Sequence, residues 1–358
     1  MQRIVFFGKG GIGKSTTSTN VSAALSARGE RVLHVGCDPK HDSTVALLNG
    51  KLLQPVVDKI HKLDGLTPED VVTRSALGID CVEAGGPEAG VGCGGRGITR
   101  MMEIFHAAKL LQNDRYSVSV YDVLGDVVCG GFAAPLRKGI GEKVIIVASE
   151  EVMALYAANN IARAVCHYAV NGIVLGGIIV NLRDNSEDRA PMERFAKLIN
   201  TKILGYVPRD PLIREAEYRR QTVMEHAPRS PISKVFRDLA EIIWDLDVTT
   251  CPLPTPLSDL QFYACTQSKF EMSAAQAMAV ATASGSPKEE PEGGLDVVMP
   301  TSLAKRAVGN RKAEFEEELF AGIRAVRLGR VSAGDAVQRL RKSFPKEAIS
   351  LAETDLVS

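Results

Sequence analysis

The fold of this chain is decided by the stretch Gly8-Lys9-Gly10-Gly11-Ile12-Gly13-Lys14-Ser15-Thr16-Thr17, which follows a short apolar segment at the N-terminus. It satisfies the pattern G-x-x-x-x-G-K-[ST], in which glycines let backbone N–H groups turn toward phosphate oxygens. Lys14 would reach the β- and γ-phosphates, and the hydroxyl of Ser15 would bind Mg²⁺. The stretch therefore predicts a phosphate-binding loop for MgATP, made by residues 8–16 and placed between a strand and a helix.

The same glycines also spell G-x-G-x-x-G, the fingerprint of a dinucleotide site, which calls for an acidic residue about 20 positions further on. Asp38 fits that position loosely. Lys14 and Ser15 directly after Gly13 have no role in a nicotinamide site, whereas a triphosphate site needs both. We favour the triphosphate interpretation and keep the dinucleotide site and a structural glycine turn as alternatives.

Short β-branched segments alternate with helical patterns along most of the chain. The predicted strands are residues 3–7, 31–36, 117–121, 143–148, 173–180 and 203–207, and a helix is predicted near residues 232–246. Such alternation is typical of a mostly parallel sheet covered by helices on both faces. We therefore predict a doubly wound α/β P-loop NTPase fold, whose ligands bind at the carboxyl ends of the strands.

The composition changes towards the C-terminus. Residues 284–300 are rich in Ser, Pro, Gly and Glu, which is typical of a flexible tether. We predict a compact domain over residues 1–273, a flexible linker over residues 274–300 and a short helical extension over residues 301–358. Within the extension, residues 312–328 and 332–343 have amphipathic patterns, with Ser332 as the expected N-cap of the second helix.

The charge balance argues against two classes of partner. Lys+Arg and Asp+Glu both number 43, so the formal net charge is zero and nothing favours nucleic acid or an anionic membrane. No apolar run approaches the roughly 20 residues of a membrane-spanning helix, and the N-terminal apolar run is too short for a signal peptide. We expect a cytoplasmic protein.

Two acidic segments follow predicted strands and would lie beside the phosphates. Asp38 and Asp42 come after the second strand, where they are suited to ordering water around Mg²⁺. Asp122-Val123-Leu124-Gly125-Asp126 has the D-x-x-G form of a γ-phosphate sensor, with Asp122 near Mg²⁺. A lone D-x-x-G is equally compatible with a turn, but together with the phosphate loop it indicates an ATPase.

Cys93 and Cys129 stand apart from the other cysteines because both lie in glycine-rich segments. A [4Fe-4S] cluster usually takes four thiolates, and one chain offers only these two in matching surroundings. A two-fold dimer would supply the other two. The remaining cysteines are expected to be small buried residues: Cys37, Cys81, Cys166, Cys251 and Cys265.

Lys9 is a second lysine inside the phosphate loop, and this variant of the loop resembles that of the nitrogenase iron protein, Mrp and MinD group of dimeric ATPases. The resemblance implies that Lys9 reaches the nucleotide of the partner subunit; a solvated loop lysine is the alternative. Seven segments together resemble the nitrogenase iron protein family up to about residue 270: residues 8–17, 36–44, 85–88, 92–97, 122–132, 156–160 and 207–210.

The resemblance implies a set of site residues. Cys93 and Cys129 would hold one [4Fe-4S] cluster in a homodimer, and Arg96 would dock the partner, being an ADP-ribosylation target in some members. The residues that would couple hydrolysis to redox change are Asp38, Asp42, Asp122 and Asp126. The residues that would surround adenine are Asn181, Pro208 and Asp210.

The implied activity is that of an ATP-dependent reductase component. It would take low-potential electrons from a ferredoxin or flavodoxin and pass them to a larger, nitrogenase-like catalytic component. The Cys93-Gly94-Gly95-Arg96 loop, His41 and the extension depart from the common family pattern, so we favour a substrate such as methylthio-alkanes. Nitrogenase, a (bacterio)chlorophyll-type tetrapyrrole reductase, and a MinD- or Mrp-type positioning or cargo ATPase without a bridging cluster are the alternatives.

Overall fold

The computed structural model describes residues 1–38, 40–86, 95–112, 114–123, 136, 140–185, 188–283 and 332–343. Its strands, in chain order, are β1 (Gln2–Phe7), β2 (Val32–Cys37), β3 (Thr73–Arg74), β4 (Asp80–Glu83), β5 (Val118–Val123), β6 (Lys143–Ala148), β7 (Val174–Asn181) and β8 (Ile203–Val207). Within the described residues they form one sheet in the order β3-β4-β2-β5-β1-β6-β7-β8. Every neighbouring pair is parallel except β3 and β4. The predicted doubly wound α/β fold is confirmed.

The helices flank this sheet. They are α1 (Lys14–Ala27), α2 (Val56–Lys59), α3 (Pro68–Val71), α4 (Gly95–Ala107), α5 (Val152–Tyr168), α6 (Ala190–Leu198), α7 (Pro211–Tyr218), α8 (Val223–His226), α9 (Pro231–Trp244), α10 (Asp259–Gln267), α11 (Ala274–Ala283) and α12 (Ala333–Ser343). Helix α9 is amphipathic, which accounts for its place on the sheet. Its buried residues include Phe236, Leu239 and Ile243, whereas Lys234 and Glu241 are exposed.

The core has two layers, one on each face of the sheet. Alternate residues of β1 point to opposite faces: Ile4 and Phe6 pack with α1 and α9, whereas Val5 and Phe7 pack with α4, α5 and α6. Both sets are fully buried. Burial on both faces explains why the strands are continuous apolar runs, as expected for a parallel sheet.

Two features of the sheet differ from the prediction. The strands β3 and β4 were not predicted, because both are short and β4 begins and ends with buried carboxylates, Asp80 and Glu83. In addition, β5 extends to Val123, so Asp122 belongs to the strand and does not follow it. Pairing with β2 continues that far, with Gly36 opposite Asp122 and Cys37 opposite Val123.

The C-terminal part of the compact domain is tied to α5. Asn159 donates to the carbonyl of Leu257 and accepts from its N–H, both at 2.8 Å. Helix α11 occupies the first residues of the range predicted to be a linker. Ser332 accepts a hydrogen bond from the N–H of Asp335 at 3.1 Å, which confirms it as the N-cap of α12. The predicted helix over residues 312–328 lies outside the described residues, and the domain boundaries stay a prediction.

Among the helices that the structure describes, none is both long enough and apolar enough to cross a membrane.

Candidate functional site

The phosphate loop lies between β1 and α1, as predicted. Gly11 and Gly13 have φ angles of 73° and 88°, a left-handed conformation that glycine adopts without strain. Gly13 also precedes α1 without a side chain to cap it. The first N–H groups of the helix are therefore available to an anion, which the positive end of the helix dipole favours.

Lys14 is paired with Asp122 at the base of the loop. Its Nζ lies 2.6 Å from Oδ1 of Asp122, and the two side chains are only 8% and 1% exposed. Burial raises the pKa of the Asp122 carboxyl, but Lys14, Ser15 and Ser43 together bring it below its ordinary value. The Ser43 hydroxyl donates to Oδ2 at 2.6 Å. Asp122 is therefore an ionised, fully engaged carboxylate that joins the loop to β5.

The segment after β2 borders a cavity that Ser15 also lines. Asp38 is half-buried, and its Oδ1 accepts a hydrogen bond from the N–H of Lys40 at 3.0 Å. Asp42 is exposed and lines, with Ser15 and Ser43, a cavity of ≈ 190 Å³. The structure thus brings Asp42 to the hydroxyl expected to bind Mg²⁺, whereas Asp38 lies at the start of the segment.

Glu83, at the end of β4, forms a hydrogen bond that joins the segment after β2 to the sheet. Its Oε1 accepts from the N–H of Thr44 at 2.7 Å, while its buried Oε2 has no hydrogen-bond partner. Burial raises the pKa of Glu83 to about 8, which favours the protonated carboxyl.

The three residues predicted to surround adenine line one cavity of ≈ 580 Å³ with Gly11, Ile12, Gly13 and Thr16 of the phosphate loop: Asn181, Pro208 and Asp210. The Asn181 amide donates to the carbonyl of Ile12 at 2.8 Å. Asp210 accepts from the N–H of Leu212 at 2.9 Å and so caps α7. This volume and its position beside the loop suit a nucleoside.

Sequence reasoning missed several residues of these cavities. Arg183 donates to the carbonyl of Gly11 at 3.1 Å, and Glu217 accepts from the Thr16 hydroxyl at 2.9 Å. Ser43 lies within residues 36–44, but the sequence analysis assigns it no role of its own. Arg183 and Glu217 are far from the loop in sequence and carry no motif, so only the folding of the chain brings them there.

Lys9 is half-buried, and Gly8 and Gly10 flank it at the mouth of the loop. Among the described residues, the Lys9 side chain forms no ion pair. Its ammonium group is therefore not paired with a carboxylate in the described part of the chain.

The predicted cluster ligands Cys93 and Cys129 lie outside the described residues, as do the predicted coupling residue Asp126 and the side chain of the predicted docking residue Arg96. Their neighbours are described. Helix α4 begins two positions after Cys93, and β5 ends six positions before Cys129. Because β1, β2, β4 and β5 are mutually parallel, the segments that carry both cysteines leave the sheet at the edge that holds the phosphate loop.

In the described part of the chain, no three His, Cys, Asp or Glu side chains lie close enough together to hold a metal ion. Burial raises the pKa of the thiols of Cys37 and Cys81, and that of Cys166 to about 12. A neutral buried thiol is a poor ligand, because the thiolate is what binds iron.

The sequence profile of the 4Fe-4S iron sulfur cluster binding proteins, NifH/frxC family, matches residues 2–271. The chain belongs to the NifH/frxC family. It is 45% identical over 266 residues to the nitrogenase iron protein of Methanospirillum hungatei JF-1, covering 73% of this chain and 94% of that protein. It is 43% identical over 275 residues to the nitrogenase iron protein of Methanococcus voltae, covering 76% and 98%.

Solved structures support the fold of this NifH/frxC member. The septum site-determining protein MinD of Pyrococcus horikoshii OT3, complexed with Mg-ADP, superposes with a TM-score of 0.55 at 23% identity, covering 69% of this chain and 97% of that chain. A ParA family ATPase from Chlorobium tepidum TLS gives 0.52 at 20% identity, covering 67% and 99%. At these identities the likeness shows the P-loop fold alone.

Family membership decides between the predicted classes. The chain is a nitrogenase iron protein-like reductase component, with an ATP-binding P-loop and membership of a family that binds 4Fe-4S clusters. The dinucleotide interpretation and the positioning or cargo ATPase are both disfavoured.

Proposed function

We propose that two copies of this chain share one [4Fe-4S] cluster, held by Cys93 and Cys129 of each copy, and use MgATP to pass electrons to a larger catalytic component. A ferredoxin or flavodoxin would reduce the cluster. The observation that carries the proposal is the buried pair of Lys14 and Asp122. It joins the phosphate loop to the strand whose chain continues, seven positions later, to Cys129.

The pair gives the nucleotide a means of acting on β5. An MgATP in the loop would draw Lys14 toward its phosphates, because their negative charge competes with Asp122 for the ammonium group, which lies 2.6 Å from Oδ1 of Asp122. Asp122 would then face the Mg²⁺ held by Ser15. Asp122 is the first residue of the predicted sensor segment. A change in the partners of its side chain would therefore change the conformation of that segment.

The cluster would supply a single low-potential electron. This chain's own part is to bind it with two thiolates per copy, to bind the nucleotide, and to change its affinity for the catalytic component with the nucleotide state. In a two-fold dimer both copies contribute the same surface patch, which is how two cysteines become four ligands. Lys9, which lacks a carboxylate partner among the described residues, suits the predicted contact with the partner's phosphates. Arg96 is proposed to dock the catalytic component.

For the substrate of that component we favour a nitrogenase-like reduction such as that of methylthio-alkanes. The Gly94-Gly95 pair beside Cys93, His41 in the segment after β2, and the 358-residue length, against relatives that match only 73% of it, support a specialised partner. The other candidate catalytic components are those of nitrogenase and of a tetrapyrrole reductase. Anaerobic co-purification of the catalytic component, followed by assays with each substrate class, would decide: reduction of dinitrogen or of a tetrapyrrole would overturn this preference.

Cluster binding has its own test. Protein purified without oxygen should be brown and contain about four irons per two chains. Cys93→Ser and Cys129→Ser should each lose the iron, whereas the control Cys166→Ser, at a half-buried thiol of raised pKa, should keep it. A colourless protein that hydrolyses ATP would contradict the proposal and favour a MinD- or Mrp-type ATPase.

A further inference from the structure

A chain of four buried hydrogen-bonding side chains runs from α1 to the phosphate site. His34 Nδ1 lies 2.8 Å from the hydroxyl of Ser22, and His34 Nε2 lies 3.0 Å from that of Ser43. Ser43 in turn lies 2.6 Å from Oδ2 of Asp122. All four residues are at most 2% exposed, so no water shell substitutes for these bonds.

The direction of each hydrogen bond follows from the end of the chain. An ionised carboxylate only accepts, so the Ser43 hydroxyl must give its one proton to Asp122. His34 must then donate to Ser43 through Nε2–H, and its Nδ1 must accept from Ser22. The ring is therefore the neutral Nε2–H tautomer, an assignment made from the network. Burial lowers the pKa of His34 to about 4, consistent with a neutral ring.

His34 is unusual in its position. It lies in the middle of β2 between Leu33 and Val35, and its Cα partners on the neighbouring strands are Cys81 and Val120. Cys81 and Val120 are apolar, and a buried polar ring beside them is costly unless both nitrogens are bonded. Both are bonded, and the outcome is a fixed direction for the Ser43 hydroxyl.

We propose that His34 is a positioning residue for ATP hydrolysis: it holds the Ser43 hydroxyl toward Asp122 and so keeps the Asp122 carboxylate in place once Lys14 leaves it for the nucleotide. The inference rests on the proposed ATPase at this loop. Asp122 loses its partner on Oδ1 when Lys14 departs, and Ser43 on Oδ2 then restrains the carboxylate. Without the incoming bond from His34, the Ser43 hydroxyl is free to rotate away.

Three variants test this role, with the anaerobically purified holoprotein and its co-purified catalytic component as the assay. His34→Leu removes both bonds and should lower kcat for ATP hydrolysis on the order of tenfold, with KM for MgATP changed less than about twofold. His34→Gln, whose amide can accept from Ser22 and donate to Ser43, should recover most of kcat. Cys81→Ala, an equally buried change beside His34, should match the wild type.

A double-mutant cycle tests whether the action of His34 passes through Ser43. In a Ser43→Ala background, changing His34 to Leu should have no further effect on kcat, because the proposed action needs the Ser43 hydroxyl. If the leucine variant folds poorly, His34→Met, which also removes both hydrogen bonds, takes its place. A leucine variant with wild-type kcat, a glutamine variant as slow as leucine, or additive effects of His34 and Ser43 would each overturn the proposal. Loss of ATP hydrolysis in Lys14→Ala tests the proposed function separately: a wild type without this activity overturns both.

Discussion

The ammonium nitrogen of Lys14 lies 2.6 Å from a carboxylate oxygen of Asp122, and both side chains are buried. An ion pair in this setting is costly to break without a replacement partner, because either charge alone would remain desolvated. The phosphates of MgATP offer Lys14 such a replacement, and Mg²⁺ offers one to Asp122. We therefore propose that the ion pair is a latch, which MgATP opens by giving each residue a new partner.

Asp122→Asn tests the latch. The amide keeps the shape of the side chain but removes the charge, so ATP hydrolysis should fall about a hundredfold or more, the loss typical of removing one electrostatic group from a catalytic site. Lys14 would be released, so MgATP affinity should not fall. Asp58→Asn, the same charge change at an exposed position, should leave the hydrolysis rate and the MgATP affinity unchanged in steady-state kinetics and calorimetry. A rate in Asp122→Asn close to that of the wild type would contradict the latch.

Glu83 should make stability depend on pH. Burial raises the pKa of its carboxyl from 4.5 to about 8, so between these values the folded protein binds a proton that the unfolded chain has lost. Raising the pH through this window therefore lowers the free energy of unfolding. Glu83→Gln removes the effect, and its stability relative to the wild type should rise by up to about 1.4 kcal/mol per pH unit. Denaturant titrations from pH 5.5 to 8 measure the difference, and parallel pH profiles would disprove the assignment.

Gly13 and Gly10 offer a matched pair in the phosphate loop. A Cβ at Gly13 would meet the Asn181 amide nitrogen at 2.5 Å, and its φ of 88° is unfavourable for other residues, whereas a Cβ at Gly10 would meet nothing within 4 Å. Gly13→Ala should therefore lower the free energy of unfolding by about 1–3 kcal/mol, and Gly10→Ala should not. Thermal unfolding of both variants without nucleotide checks this, and equal melting temperatures would count against the loop geometry.

Asn159 should be a stabilising residue although it lies far from the nucleotide. Its amide forms two hydrogen bonds to the backbone of Leu257 and is fully buried. Asn159→Ala leaves the N–H of Leu257 unpaired and its carbonyl with Arg163 as the remaining donor, and should cost about 1–3 kcal/mol of unfolding free energy. Asn160→Ala, at the adjacent and more exposed position, serves as the control. Similar unfolding midpoints for the two variants would show that the contact is dispensable.

Much of the fold was predictable because the strands that form the middle of the sheet are continuous apolar runs. The exceptions have a physical cause. In β4 the apolar pair Cys81 and Val82 is too short to predict a strand. The flanking carboxylates of Asp80 and Glu83 are buried, because residues distant in sequence pack against them and hydrogen-bond to them. Asp80, for example, accepts from Tyr116 at 2.8 Å, a residue 36 positions away.

The residues of the candidate site also fall into two groups, those that the sequence predicts and those that it does not. Lys14, Ser15 and Asp122 stand in motifs whose spacing reflects local geometry, so the sequence predicts them. His34 sits in what looks like an ordinary core strand, and its role emerges only when α1 and the segment after β2 bring Ser22 and Ser43 to its two nitrogens. Contacts between distant segments leave no periodic or spaced signal in a single sequence.

Two copies of the chain are proposed to hold one cluster between them. Native mass spectrometry of the anaerobic protein measures this directly. We expect a species of two chains that carries one [4Fe-4S] cluster, and Cys93→Ser should abolish the bound cluster. A monomer that carries its own cluster, or a dimer with a cluster on each chain, would contradict it.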